Sequence, residues 1–123
     1  MRIPRTVKLG NHEFKVIYKK TIRHPGKNGE ECYGLCDYDS HVIYLQRGMH
    51  PSKKSEVFFH ECLHAIDELF DLRLGEKKVN LLAVTVMAWI KNNRIDFGVI
   101  NAKRKPRRNR AHTKKRRSKR KRN

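Results

Sequence analysis

Apolar and polar residues alternate between Thr6 and Leu45 with the period of strands that bury one face. The alternation predicts four strands: Thr6–Leu9, His12–Tyr18, Tyr33–Tyr38 and His41–Leu45. Gly10-Asn11 and Asp39-Ser40 are turn signals within the first and second pair of strands, and residues 25–29 have the composition of a loop.

After residue 50 the apolar period becomes that of a helix. The first helical segment runs from about residue 52 to 71 and follows the start signal Pro51-Ser52. The second begins at Gly75 and stops at Asn92-Asn93. Because the turn between them is short, the two helices should be antiparallel neighbours. Four strands followed by two helices predict an α+β fold, in which a small antiparallel sheet packs on the first helix.

Five residues of the first helix have the sequence His60-Glu61-Cys62-Leu63-His64. Residues four apart lie on one face of a helix, so the two imidazoles can bind one metal ion from the same side. Zinc combines such ligands with an open position for water, and a carboxylate beside the first histidine can take a proton from that water. The motif therefore predicts a zinc hydrolase with Glu61 as general base. The alternative is a core helix whose two histidines form hydrogen bonds elsewhere.

Two acidic residues are candidates for a role at the metal site beside the two histidines. Asp67 lies too far along the helix to bind the same ion, and it is predicted to accept a hydrogen bond from His64 or to be a solvated surface acid. Glu76 opens the second helix and is the only acid between Asp71 and Asp96, so it is a candidate third ligand. An acid is also ordinary there, because the helix dipole favours negative charge in the first turn. Spacing alone leaves both roles of Glu76 open.

The two helical segments resemble the small zincins related to the ImmA/IrrE group. The first carries H-E-x-x-H at His60–His64, and the second, EKKVNLLA at Glu76–Ala83, is similar to that group's E-x-x-A-N-x-F-A. Val79 and Leu82 depart from the pattern, and compact versions of the domain occur among phage proteins. The resemblance covers about residues 6 to 93 and implies a zinc-dependent peptidase. It implies zinc ligands His60, His64 and Glu76, and general base Glu61.

Charge divides the chain into two parts. Of the 30 Lys and Arg residues, 14 lie in residues 103–123, which contain no acid. The rest of the chain therefore has 16 basic and 12 acidic residues. The composition predicts one domain over residues 1–101 and a tail over 102–123 that is disordered in isolation. The resemblance implies that the domain is a minimal zincin metallopeptidase-like domain. The tail should attract DNA or RNA phosphates without sequence preference. The alternatives are a solubilising tail or an acidic protein partner.

Cysteine usage and hydropathy indicate the compartment. Cys32, Cys36 and Cys62 are predicted to be free thiols in a reducing compartment, and the alternative is a structural metal on Cys32 and Cys36. No apolar run approaches the length of a membrane span, and the first residues lack the apolar core of a signal peptide. We therefore expect a cytoplasmic protein, in the host cytoplasm if a phage encodes it, with no membrane partner.

The strands bear on substrate binding. In zincins the sheet edge next to the metal binds extended substrate, and Val42–Leu45 is the predicted edge. Tyr44 and Tyr38 are candidates for the residue that stabilises the oxyanion. Four histidines lack metal spacing and are predicted to lie outside the site: His12, His24, His41 and His50. The leading prediction is a peptidase acting on a protein or peptide; the rival is a non-catalytic nucleic-acid-binding protein with a structural or degenerate zinc site.

Deletion of residues 103–123 should leave the metal domain folded but greatly weaken DNA and RNA binding, because these residues carry 14 positive charges. The plot of log K against log salt should be steep for the full chain and shallow for the truncated one, since each phosphate contact releases a counterion. Salt titrations on duplex and single-stranded nucleic acid measure both slopes. Equal affinities and slopes would leave an acidic protein partner or solubility as the role of the tail.

Overall fold

The structure is a computed structural model that describes residues 2–95. Six strands precede two helices: β1 (Thr6–Leu9), β2 (His12–Lys19), β3 (Ile22–Arg23), β4 (Glu31–Cys32), β5 (Gly34–Asp37), β6 (Val42–Gln46), α1 (Pro51–Phe70) and α2 (Gly75–Asn92). The predicted α+β class and both predicted helices are confirmed. All eight elements lie in one compact unit, Met1–Asn92, and the predicted tail lies outside the described residues.

Four strands form the main sheet in the order β1-β2-β6-β5. Short turns make β1–β2 and β5–β6 antiparallel, whereas β2 and β6 pair in parallel. The sheet is thus antiparallel except at this central pair, and the alternating pattern did not predict the parallel pairing. The chain between the two strands forms the small antiparallel β3–β4 ladder and β5, so that β6 enters beside β2 in the same direction.

The position of β6 corrects the predicted sheet edge. β6 lies between β2 and β5, so the prediction that Val42–Leu45 forms the edge is wrong. Its side chains Val42, Ile43 and Leu45 are buried, as expected for an inner strand. β5 is an edge strand that contacts α1, and among residues 2–95 it pairs with β6 alone.

The core lies between the sheet and α1. It consists of buried side chains from both layers, with partly buried residues packed around them: Leu9, Phe14, Cys36, Ile43, Leu45, Phe58, Cys62 and Ala65. α2 packs against α1 and buries Val79, Ala83 and Met87, which are four residues apart and so share one face. This arrangement leaves the middle of α1 between the β5 edge and the start of α2.

The turn between the helices is fixed by hydrogen bonds to Asp67. Its carboxylate accepts the backbone N–H of Leu74 at 3.0 Å, and its carbonyl accepts the N–H of Leu72 at 3.1 Å. Asp71 ends α1 in the left-handed conformation at φ +50°. Because these contacts hold residues 71–74 against the last turn of α1, the first turn of α2 returns alongside it.

Gly34 allows β5 to lie close to α1. A Cβ at this position would be 2.6 Å from Cγ1 of Val57 and 3.0 Å from Cγ of Glu61. Real Cβ atoms do not approach other atoms so closely, so the glycine is required by the contact between strand and helix.

Gly34→Ala should lower the free energy of unfolding by about 1–3 kcal/mol, because the added methyl group overlaps the Val57 side chain. Val57→Ala removes the nearest obstructing atom, so Gly34→Ala should cost less in that background. Urea unfolding of the wild type, both single variants and the double variant measures the difference. Equal costs in the two backgrounds would show that Val57 does not limit how closely β5 approaches α1.

Candidate metal centre

His60 and His64 lie one turn apart on α1 and face each other, as their spacing predicts. Their Nε2 atoms are 3.0 Å apart, and the two rings meet edge to face with centroids separated by 4.7 Å. Both side chains are mostly covered, with exposed fractions of 17% and 21%. Two imidazole lone pairs at this distance repel each other unless a proton or a metal ion lies between them.

Glu76 brings a carboxylate to the same point from the first turn of α2. Its Oε2 is 2.7 Å from Nε2 of His64, and its Oε1 is 3.4 Å from Nε2 of His60. One potential ligand atom from each of the three residues lies within 4.8 Å of the others. The structure therefore brings together the three predicted ligands, in a group that we call the metal cluster.

The metal cluster fits a single divalent ion. A tetrahedral ion with bonds of about 2.0–2.1 Å separates its ligand atoms by about 3.3 Å, which is close to the spacing in the cluster. Burial, followed by the neighbouring His64, holds the pKa of His60 below its usual value, although Glu76 acts in the opposite direction. Metal binding needs neutral imidazole, so this environment favours it. The Glu76 side chain is 62% exposed, which leaves one side of the cluster accessible.

Glu61 adjoins His60, but its side chain lies beneath β5. It is 7% exposed, and a Cβ on Gly34 would lie 3.1 Å from its Oε1. Burial raises the pKa of Glu61 to about 8, and the negative charge of Glu76 acts in the same direction. A carboxyl group with a pKa near neutrality is suited to accept a proton and then release it.

A cleft of about 800 Å³ opens beside the metal cluster and Glu61. Eight consecutive residues, Cys32–Asp39, line it, together with residues from the loop after β3, from α1 and from the start of α2. Alternate side chains of a strand point to opposite faces, so a continuous stretch lines a cleft where the backbone edge of the strand faces it. The free edge of β5 therefore forms one wall of the cleft.

Of the two tyrosines predicted as candidates for stabilising the oxyanion, one lines the cleft and the other does not. Tyr38 lines it, and burial raises the pKa of Tyr38 to about 12, so its hydroxyl stays protonated and can donate a hydrogen bond. Tyr44 does not line the cleft, and the ammonium group of Lys19 lies 4.4 Å from its ring centre.

His24 lines the cleft but does not belong to the metal cluster, in agreement with its lack of metal spacing. Its Nδ1 accepts a hydrogen bond from the N–H of Gly26 at 3.0 Å, so a neutral His24 carries its proton on Nε2. Pro25-Gly26 marks a loop in the sequence, but nothing local indicates that the loop folds beside α1. The other three histidines act elsewhere. His12 and His41 pack ring against ring, and His50 caps α1 by accepting the N–H of Ser52.

Asp67 acts in the interhelical turn. Its carboxylate accepts the Leu74 N–H, and no hydrogen bond joins it to His64 in the described part of the chain. The predicted contact between Asp67 and His64 is therefore absent from this structure. Asp67 still affects the metal cluster, because the turn it holds sets the position of Glu76.

The three cysteines are free thiols, as predicted. Cys36 and Cys62 are buried, and burial raises the pKa of each to about 12, so both stay protonated at neutral pH. Within residues 2–95, the metal cluster is the one group of three or more potential ligands. The alternative of a structural metal on Cys32 and Cys36 therefore gains no support.

Comparisons of the chain with protein-family models, curated proteins and solved structures find no match. Neither helix in the described part of the chain is long and apolar enough to cross a membrane. Function must therefore be argued from the geometry of the cleft.

We expect about one divalent ion per chain, and we expect Glu76→Gln to bind it at least about a hundredfold more weakly. Glutamine keeps the size of the side chain but removes the charge that binds the ion. Equilibrium dialysis with elemental analysis measures stoichiometry and affinity. The matched control is Glu68→Gln, which changes an exposed acid of α1 outside the cluster. Equal affinities of the two variants would remove Glu76 from the site.

Proposed function

We propose that this protein is a zinc-dependent peptidase. The observation that carries the proposal is the position of Glu61, whose buried carboxyl group adjoins the metal cluster and the free edge of β5 within one cleft. Peptide hydrolysis by a metal needs an ion to polarise the carbonyl, a base for the attacking water, and a surface that holds an extended chain. Each of these parts has a candidate in the cleft.

Zinc is the proposed ion. Two imidazole nitrogens and one carboxylate are a donor set typical of catalytic zinc, whereas structural zinc is closed by four protein ligands. Within residues 2–95, the metal cluster offers three protein ligands. When bound, zinc would supply Lewis acidity to the scissile carbonyl and lower the pKa of the attacking water. The three-ligand set favours the peptidase over the alternative hypothesis, in which the zinc site is structural.

Glu61 is the proposed general base and acid. It would accept a proton from water as the water attacks the peptide carbonyl, and would then give that proton to the leaving amine. In the metal-free protein, burial and then Glu76 raise the pKa of Glu61 to about 8, so the carboxyl group can hold a proton near neutral pH. A bound cation would lower this pKa, so the carboxylate would be ionised when the attack begins.

The edge of β5 is the proposed substrate platform. An extended peptide can add to a free strand edge through backbone hydrogen bonds, and the β5 edge already faces the cleft. Gly34 carries no side chain that would separate the peptide from Glu61. The hydroxyl of Tyr38 and Nε2–H of His24 are the proposed candidates for stabilising the oxyanion, since both residues line the cleft.

The basic residues 103–123 are proposed to hold the peptidase near nucleic acid, so that a DNA- or RNA-bound protein is the proposed substrate. The support is the run of 14 Lys and Arg without an acid, which attracts phosphate groups irrespective of base sequence.

Glu61→Gln should retain the metal and the fold but lower kcat by at least about a hundredfold, because an amide cannot accept the proton of water. Cleavage of a panel of test proteins, with and without DNA, measures the effect. Glu68→Gln is the matched control, since Glu68 is an exposed acid of the same helix that does not line the cleft. A Glu61→Gln variant that cleaves at the wild-type rate would remove Glu61 as general base. A wild type that cleaves nothing would favour the non-catalytic nucleic-acid-binding protein.

A further inference from the structure

We propose that the cleft selects peptides with a basic side chain on the amino-terminal side of the scissile bond and an acidic side chain on the carboxyl-terminal side. This inference rests on the proposed peptidase function and identifies its substrate class. It follows from the direction in which β5 passes along α1 and from the charges at the two ends of the cleft.

β5 and the residues that flank it run beside α1 in the same direction. At one end, Nζ of Lys53 lies 4.5 Å from the ring centre of Tyr33. In the middle, Gly34 lies against Val57 and Glu61. Further along the strand, Tyr38 lies near enough to the last turns of α1 for Glu68 to raise its pKa. The cleft is therefore a channel with two distinct ends and the metal cluster between them.

The two ends of the channel carry opposite charge. Asp37, the last residue of β5, and Asp39, two residues further on, line one end, and no Lys or Arg lines the cleft there. The Asp37 carboxylate is held by the backbone N–H groups of Asp39 and Ser40 at 3.1 and 3.2 Å, which keeps its charge in a fixed place. Asp39 is exposed, so its carboxylate is accessible to a substrate side chain.

Lys53, in the first turn of α1, lines the opposite end beside Tyr33. Lys27, in the loop between β3 and β4, lies near enough to Cys32, the residue before Tyr33, for its charge to oppose the effect of burial on the pKa of that thiol. Glu56 lies between Lys53 and His60, so this end has two ammonium groups for one carboxylate. Outside Glu61 and the metal cluster, these five side chains are the Lys, Arg, Asp and Glu residues that line the cleft.

The spacing matches an extended peptide. The ammonium group of Lys53 lies against the ring of Tyr33, one residue before Gly34. Asp37 follows Tyr33 by four residues, or about 13 Å in an extended chain. An extended peptide rises about 3.3 Å per residue, so side chains about four residues apart would reach both ends.

Chain direction follows from strand pairing. Antiparallel pairs are the more stable, so the substrate should run opposite to β5. Its amino-terminal part would then lie at the end with Asp37 and Asp39, and its carboxyl-terminal part at the end with Lys27 and Lys53. Opposite charges attract at each end, so a basic residue is selected first and an acidic residue about four positions later.

Two blocked peptides test the inference. They are acetylated, amidated and identical in composition, and they carry Lys and Glu four positions apart in one order or the other. Cleavage by the zinc-loaded wild type should give a kcat/KM about tenfold higher for the peptide in which Lys comes first. The preference should shrink in high salt, since both ends are exposed to solvent. Binding to zinc-loaded Glu61→Gln, measured by fluorescence anisotropy, should show the same order of affinity without hydrolysis.

The double variant Lys53→Glu with Asp39→Lys should prefer the peptide in which Glu comes first. The matched control is Lys91→Glu with Glu13→Lys, which exchanges two exposed charges outside the cleft and should keep the wild-type preference. Equal cleavage and equal binding of the two peptides, or a wild-type preference for the reverse order, would overturn the inference and leave the peptidase intact. If the Lys-first peptide binds more tightly but neither peptide is cleaved, the charge selection by the cleft stands and the peptidase is overturned.

Discussion

The close contact between β5 and α1 at Gly34 is the constraint on which the rest of the site depends. A strand with a side chain at this position would be held away from Val57 and Glu61. With glycine there, the strand covers the Glu61 carboxyl group, and burial raises its pKa to about 8. The same contact sets the free backbone edge of β5 beside the metal cluster. One missing side chain thus determines the acidity of Glu61 and the distance of the strand edge from the metal cluster.

Burying Glu61 has an energetic cost that helps to explain the surrounding residues. A carboxylate that loses its water must be protonated or must meet positive charge. Glu76 lies near enough to raise the pKa of Glu61 further, so the metal-free site favours the protonated acid. Binding a divalent cation in the metal cluster would remove this conflict, since the cation attracts both carboxylates. The electrostatics of the metal-free protein therefore favour occupancy of the cluster by a cation.

The sequence predicted the parts of the structure that are determined by local pattern. Helical periodicity and the spacing of His60 and His64 were sufficient to place two potential ligands on one face of α1. Predicting the inner position of β6 would have required knowledge of its pairing with β2, which lies more than 20 residues away in the chain. His24 and Gly34 were missed for the same reason. The role of each depends on which distant segment lies against it, and neither belongs to a motif that would indicate this.

Glu76 is an intermediate case, since the sequence identified it as a candidate without determining its position. From the spacing alone, a short interval between the two helices left room for a surface acid. The hydrogen bonds of Asp67 to the turn explain how so short a connection reverses the chain and still directs Glu76 back to His64. A metal site shared by two helices therefore depends on a residue that binds no metal. Changes in the turn would move Glu76 relative to the two histidines, whereas His60 and His64 would keep their spacing because one helix holds both.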